Sequence, residues 1–192
     1  DGWSFKPGQF NMLYAFGRGE SAISISSDPA DSAVIVHTIR RVGTVTTVLG
    51  DLNPGDSIGV RGPFGIAWPM RAAEGRDLAL IAGGIGLAPL RPAVLSILNH
   101  RERFGRVTLF VGARSPAELL YADQLSEWQP EIEVIQTVDH ADRAWAGHVG
   151  VVTNRLAPAG LDPGNTVALT CGPEIMMRFT VGELKRIGLG DD

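Results

Sequence analysis

A single cysteine, Cys171, stands in a chain of 192 residues. One thiol cannot build a disulfide framework within the chain, and it cannot hold a ferredoxin-type iron-sulfur cluster, which takes about four thiolates. Low cysteine use fits a reducing compartment, so a cytoplasmic location is expected. The sequence also lacks any cluster of Lys and Arg. With a net charge of -4, it offers no basic face for nucleic acid. Long apolar runs are missing too: the longest, residues 78–90, is rich in glycine and shorter than the roughly 20 residues of a membrane span. The opening DGWSFKPGQF has no basic-then-apolar leader pattern. Finally, His37, His100, His140 and His148 show no metal-ligand spacing and are expected mostly at turns or in solvent, so no metal site is expected.

What is present is an ordinary globular composition, 44% hydrophobic and 20% charged, enough for a real core. The chain is organised around residues 77–92, DLALIAGGIGLAPLRP. Residues 78–82 are apolar on both faces, as a central strand of a parallel sheet requires. Gly83, Gly84 and Gly86 allow a sharp turn and a close backbone approach, and Pro89 suits a first helical turn. The pattern aims a helix N-terminus at a strand end, the natural seat of a pyrophosphate. Taken alone the signal is weak, because Pro89 replaces the third glycine of the dinucleotide fingerprint and no acidic residue follows at the usual distance. A tight turn with no ligand explains the glycines equally well.

Two domains are expected. Residues 1–72 read as short strands at 10–16, 22–26, 33–40 and 57–61, separated by Gly, Pro, Asp and Asn, with one short helical turn at 45–49. A small β-barrel is the expected architecture, because closure removes exposed strand edges. Some 70 residues are meagre for an independent barrel, so its N-terminal strands are expected to lie outside this sequence. Residues 73–192 alternate strand and helix, which gives an α/β domain with a parallel sheet. Strands are expected at 106–112, 131–138 and 166–171. Ser115, Pro116 and Glu118 form a capping-box pattern, with Tyr121, Leu125 and Trp128 as the buried stripe of the helix that follows. A short helix is expected over 150–156. The last helix is expected to bury Met177, Val181, Leu184 and Ile187, with Met176 and Met177 serving as core. The boundary falls in residues 68–76.

Seven segments in order, KPGQF at 6–10, ISISS at 23–27, TIRRVGTVT at 38–46, GDSIGVRGPFG at 55–65, AGGIGLAPLRP at 82–92, LFVGARSPAELLY at 109–121 and CGPEIMM at 171–177, resemble the ferredoxin-NADP reductase superfamily. Within it they are most similar to the gamma subunits of cytoplasmic nickel-iron hydrogenases and sulfhydrogenases, and next to the electron-transfer subunit of dihydroorotate dehydrogenase. The resemblance implies FAD in the first domain and NAD(P)H in the second. It places Ile23, Ser24, Ile25 and Ser26 along the flavin ring edge, although the R-x-Y of the superfamily's R-x-Y-S pattern is absent here. Arg40, Gly43 and Thr46 match the flavin pyrophosphate segment, and their chemistry agrees: a guanidinium, bare amides and a hydroxyl suit two phosphates. Strand alternation favours Arg40 over Arg41. Gly62 and Phe64 lie in a GPFG segment that resembles the loop closing the flavin site in the superfamily, although glycine and proline there would also make an ordinary turn.

In the second domain the resemblance assigns Gly83, Gly84, Gly86 and Pro89 to the nucleotide pyrophosphate. It puts Arg114 near the adenosine ribose, and Cys171, Gly172, Pro173 and Glu174 beside the nicotinamide. Ser24 and Cys171 are the residues expected at the reacting rings. The implied function is electron transfer between NAD(P)H and an iron-sulfur partner of hydrogenase type, with no acid or base required for hydride transfer. The family's cysteine-rich cluster segment is absent from this sequence. A stand-alone ferredoxin or flavodoxin reductase and a nucleotide-sensing module with a decayed flavin site remain open, as does the choice between NAD and NADP.

Overall fold

The computed structural model describes residues 3–190; Asp1, Gly2, Asp191 and Asp192, at the outer ends of the two expected domains, lie outside the described residues. The chain builds two sheets in succession. In the first, β1 (Phe10–Ala15) pairs antiparallel with β2 (Gly19–Ser24) and with β3 (Gly59–Phe64), in the order β2-β1-β3. Strand alternation drives Leu13 and Ala15 to one side, where Leu49 of α1 (Thr44–Gly50) closes over them with Ile23, Ile39, Val45 and Val48 at the margin. The sheet is barrel-like but does not close among the described residues, and Tyr14, Phe16, Ile58 and Val60 stay exposed along it.

The strand expected over 33–40 is not formed. Only a bridge between Ile25 and His37 survives, and Val34 and Val36 are exposed. This segment takes its hydrogen bonds from loop partners instead: the Ser26 amide donates to the Val36 carbonyl at 2.8 Å, and the Val36 amide donates to the Ser27 hydroxyl. Residues 62–64, expected as a loop, are the end of β3, beside an irregular register between Phe10 and Met12.

In the second sheet, β4 (Asp77–Gly83), β5 (Val107–Ala113), β6 (Glu133–Val138), the two-residue β7 (His148–Val149) and β8 (Thr166–Cys171) run parallel in the order β7-β6-β5-β4-β8. The central β4 shows why a run apolar on both faces forms here. Leu78, Leu80 and Ala82 enter one core layer beneath α2 (Leu87–Asn99) and α3 (Ala122–Trp128). Ala79 and Ile81 enter the opposite layer beneath α4 (Glu174–Arg186). Full burial of each such Leu or Ile contributes about 1.5–3 kcal/mol.

Three helical expectations are revised. The capping box expected at Ser115 does not form, because its hydroxyl donates to the Glu118 carboxylate at 3.4 Å rather than accepting a backbone amide; only a 3-10 turn, Pro116–Glu118, follows, and α3 begins seven residues after Ser115, beyond a left-handed Tyr121. Residues 152–155 are a 3-10 turn. On α4, Val181 is exposed, and the buried positions are Thr180 and Leu184. The segment between the sheets is held to both: the Trp68 amide donates to the Pro7 carbonyl at 2.8 Å, and its indole donates to the Pro89 carbonyl at 3.0 Å.

Candidate functional site

A cavity of about 660 Å³ opens at the carboxyl ends of β4, β5 and β6, where ligands of open α/β sheets collect. Its floor is the Gly83–Gly84 turn, one wall is the end of β5 with Arg114, and another is the start of α4 with Pro173, Met176 and Phe179. Arg40 reaches it from the first half. The glycines of the turn do different work. A Cβ on Gly83 would stand 2.3 Å from the Met176 sulfur, and one on Gly172 2.6 Å from it, so a side chain at either position would displace the flexible Met176. A Cβ on Gly86 would stand 2.1 Å from the Cys171 carbonyl oxygen, so Gly86 lets α2 press against β8. Gly84 alone takes a left-handed conformation, φ 52°, at the cavity floor. Pro89 lies in the first turn of α2, away from the cavity.

The charges around the cavity are Arg40, Arg114, Glu118 and Asp139. Among the described residues Arg40 has no hydrogen-bond or ion-pair partner, whereas Arg41 is engaged with Asp51. The Thr46 hydroxyl is already in use: it accepts the Val42 and Gly43 amides at 3.1 and 3.0 Å and donates to the Gly43 carbonyl at 3.1 Å. Thr46 and Gly43 therefore shape the start of α1 and lie outside the cavity wall. Gly62 and Phe64 also lie outside it. A Cβ on Gly62 would meet the Asn11 side-chain oxygen at 2.2 Å, and Phe64 packs on Phe10 with ring centroids 5.9 Å apart.

Ile23 and Ser24 end β2, and the chain from Ser24 to Ser26 is fixed by its backbone. The Ile25 amide donates to the Gln9 carbonyl at 3.0 Å. His37 donates from Nδ1 to the Ser24 carbonyl at 3.0 Å and accepts the Asn11 side-chain amide at Nε2, 3.2 Å away. These two partners fix the neutral tautomer with its proton on Nδ1. Burial pulls the imidazole below the ordinary histidine range, against the upward pull of the Ser24 carbonyl. As expected of most of the histidines, His100, His140 and His148 are exposed; His37 is the exception, enclosed by Ser24 and Asn11.

Cys171 ends β8, half-buried. Burial pushes its thiol above the ordinary range, outweighing a hydrogen bond from the Gly172 backbone, so at neutral pH it presents an uncharged S–H. Gly172 packs behind it, Pro173 joins the cavity wall, and Glu174 sits exposed in the first turn of α4. Of the expected residues, the cavity gathers Arg40, Gly83, Gly84, Arg114 and Pro173; the others support it or lie outside it. Several cavity residues had no site role expected of them: Asp139, Val151–Asn154, Ile175 and Phe179. Ile175 and Phe179 share an i,i+4 face of α4 and are 58% and 64% exposed, forming an apolar wall of the cavity. Met176, expected as core, packs into the core and lines the cavity as well.

Residues 80–182 match the oxidoreductase NAD-binding domain family. The chain is 39% identical over 191 residues to the sulfhydrogenase 1 gamma subunit of Pyrococcus furiosus, covering 97% of this chain and 65% of that protein. It is 37% identical over 180 residues to a probable dihydroorotate dehydrogenase B electron-transfer subunit of Methanothermobacter thermautotrophicus, covering 91% and 62% respectively. It therefore spans just under two thirds of the length of these relatives. Among solved structures, a ferredoxin-NADP+ reductase from Neisseria gonorrhoeae with bound FAD and NADP superposes with a TM-score of 0.76 at 25% identity, covering 97% of this chain and 81% of that one. With a nucleotide-type turn at the right strand end, a barrel-like sheet beside it and these relatives, the chain belongs to the oxidoreductase NAD-binding domain family, within the ferredoxin-NADP reductase superfamily.

Proposed function

We propose that this protein passes electrons between NAD(P)H and an iron-sulfur partner by way of FAD, as a subunit of the kind its sulfhydrogenase and dihydroorotate dehydrogenase relatives represent. The observation that carries the reading is the shared cavity: the glycine turn of the second half and Arg40 of the first face the same space. When bound, a flavin takes the hydride of a reduced nicotinamide as an electron pair and releases electrons singly. The chain's own residues hold and aim.

Gly84 bares backbone amides toward the nucleotide phosphates, and Arg40 and Arg114 bring positive charge. Ile175, Met176 and Phe179 supply an apolar wall for a planar base. Ser24 presents the end of β2 to the flavin edge, with Ile25 and Ser26 buried behind it, Gly62 and Phe64 border it, and Cys171 stands uncharged at the strand end beside Pro173. No residue of this set has to hold or move a proton during hydride transfer, in keeping with a neutral thiol and a neutral His37.

The test is an anaerobic titration of FAD-loaded protein with NADH and with NADPH, read by flavin absorbance. Stoichiometric bleaching is expected, and the two titrations rank the nucleotides. A protein that stays colourless after incubation with FAD overturns the reading. Co-purification with a metal-containing subunit separates a subunit role from a stand-alone reductase.

A further inference from the structure

The two halves meet through a line of polar contacts that neither could make alone. Thr38 shares a hydrogen bond with the Ser26 hydroxyl, 3.0 Å away, and another with the Tyr121 hydroxyl from the second half. Arg91 of α2 donates from a terminal nitrogen to the Ser26 carbonyl and from Nε to Gln124 at 2.8 Å. Its guanidinium lies over the Tyr121 ring, 5.1 Å from the centroid. Ser26 is fully buried, and its amide and hydroxyl both also reach the Val36 carbonyl. Tyr121 is the only non-glycine residue with positive φ among the described residues, at 55°. That conformation is unfavourable for a residue with a Cβ, and here Thr38 grips the hydroxyl while Arg91 covers the ring.

We propose that Arg91 and Tyr121 are positioning residues: they fix the Ser24–Ser26 strand end, in the flavin half, relative to the Gly84 turn in the nucleotide half. The inference rests on the function proposed above. Hydride transfer needs the reacting atoms about 3–3.5 Å apart, and small misplacements are costly. Here the two rings would be carried by two separate sheets, so something must fix one sheet against the other. Apolar contact tolerates sliding, whereas hydrogen bonds hold length and angle. Arg91 is suited because its planar fork donates in two fixed directions while stacking on an aromatic face, which a lysine cannot do. None of Ser26, Thr38, Arg91 and Tyr121 lies in the cavity wall, so altering the last three changes spacing rather than nucleotide contacts.

The experiment is anaerobic stopped-flow reduction of the FAD-loaded protein by its preferred nucleotide, comparing the parent with Tyr121→Phe, Arg91→Lys and Thr38→Ser. Flavin content and nucleotide dissociation constant are expected within about two-fold of the parent, while the bleaching rate of Tyr121→Phe and Arg91→Lys falls about ten-fold. The long-wavelength absorbance of a nicotinamide stacked on a flavin weakens in the same two variants. Thr38→Ser keeps its hydroxyl and keeps the parent rate and absorbance. The proposal is overturned if Tyr121→Phe and Arg91→Lys bleach at the parent rate, or if their loss of rate is matched by loss of FAD or of nucleotide affinity. A parent that is not bleached by either nucleotide removes the proposed function, and the positioning role of Arg91 and Tyr121 with it; a reactive parent with unaltered variants removes the positioning role alone.

Discussion

Arg40 and Gly84 face each other across the two halves: a methyl group placed on Gly84 would stand 3.5 Å from a terminal nitrogen of Arg40. The left-handed turn and the guanidinium thus border one space, and each can be altered separately.

Changing Gly84→Ala puts a Cβ into a backbone conformation of φ 52°, which costs about 1–3 kcal/mol. The midpoint of chemical denaturation is expected to fall accordingly, and the KM for nucleotide to rise, since the amides of the turn no longer sit where they did. An alanine variant with unchanged midpoint and KM would show that the turn is held for neither reason.

The neighbouring arginines are expected to differ. Arg41 pairs with Asp51 at the surface, each about half exposed, and such pairs contribute at most about 1 kcal/mol. Arg40 is unpaired among the described residues and faces the cavity. A hydrogen bond from it to a bound phosphate is worth about 1.5–3 kcal/mol, so Arg40→Ala should weaken cofactor retention about ten-fold or more. Arg41→Ala should leave retention nearly untouched. Flavin-to-protein absorbance ratio after gel filtration, with nucleotide binding measured in parallel, reads both; equal behaviour of the two variants would remove the assignment.

The second half was legible because its strands are buried on both faces: the run 78–82 cannot be satisfied except inside a parallel sheet, and Thr166–Cys171 appears as the sequence pattern draws it. The first half was harder. Val34, Val36 and Thr38 alternate like a strand, yet no neighbouring strand pairs with them, and Ser26 and Ser27 take their hydrogen bonds. The capping-box pattern at Ser115 is overridden: its cap bond is not made, and Tyr121 is drawn to Thr38, 83 positions away, which no local pattern encodes. For the same reason the sequence revealed neither the enclosure of His37 nor the apolar face of Ile175 and Phe179. Each depends on what lies opposite.

His37 predicts an acid dependence. Its folded-state pKa lies below that of the unfolded chain, mainly through burial, so the unfolded state binds a proton first as pH falls. The contribution of His37 to stability is therefore complete above the ordinary histidine range, near pH 6.5, and declines below it. Denaturation midpoints measured from pH 7.5 down to about 5 should show this decline, and His37→Gln should remove that part of the slope. The substitution carries its own cost of about 1–3 kcal/mol if the Ser24 carbonyl loses its donor. An unchanged slope in His37→Gln would assign the acid sensitivity to other groups.

Two glycines in helical surroundings give opposite predictions from the same substitution. Gly86 precedes α2, and a Cβ there would meet the Cys171 carbonyl carbon and oxygen at 2.5 and 2.1 Å. Those are backbone atoms of β8, held to β4 by the parallel ladder, and cannot swing aside like a side chain, so Gly86→Ala must lift the start of α2 from β8, an overpacking cost of about 1–3 kcal/mol. Gly182 lies within α4, exposed, with nothing within 4 Å of an added Cβ. There alanine restores helix propensity and narrows the unfolded ensemble, so Gly182→Ala should stabilise by about 0.5–1 kcal/mol. Urea denaturation of the two variants separates close packing from propensity. If Gly86→Ala proved neutral, the contact between α2 and the end of β8 would be looser than these distances require, and the rigid placement of Cys171 beside the cavity would lose its physical basis.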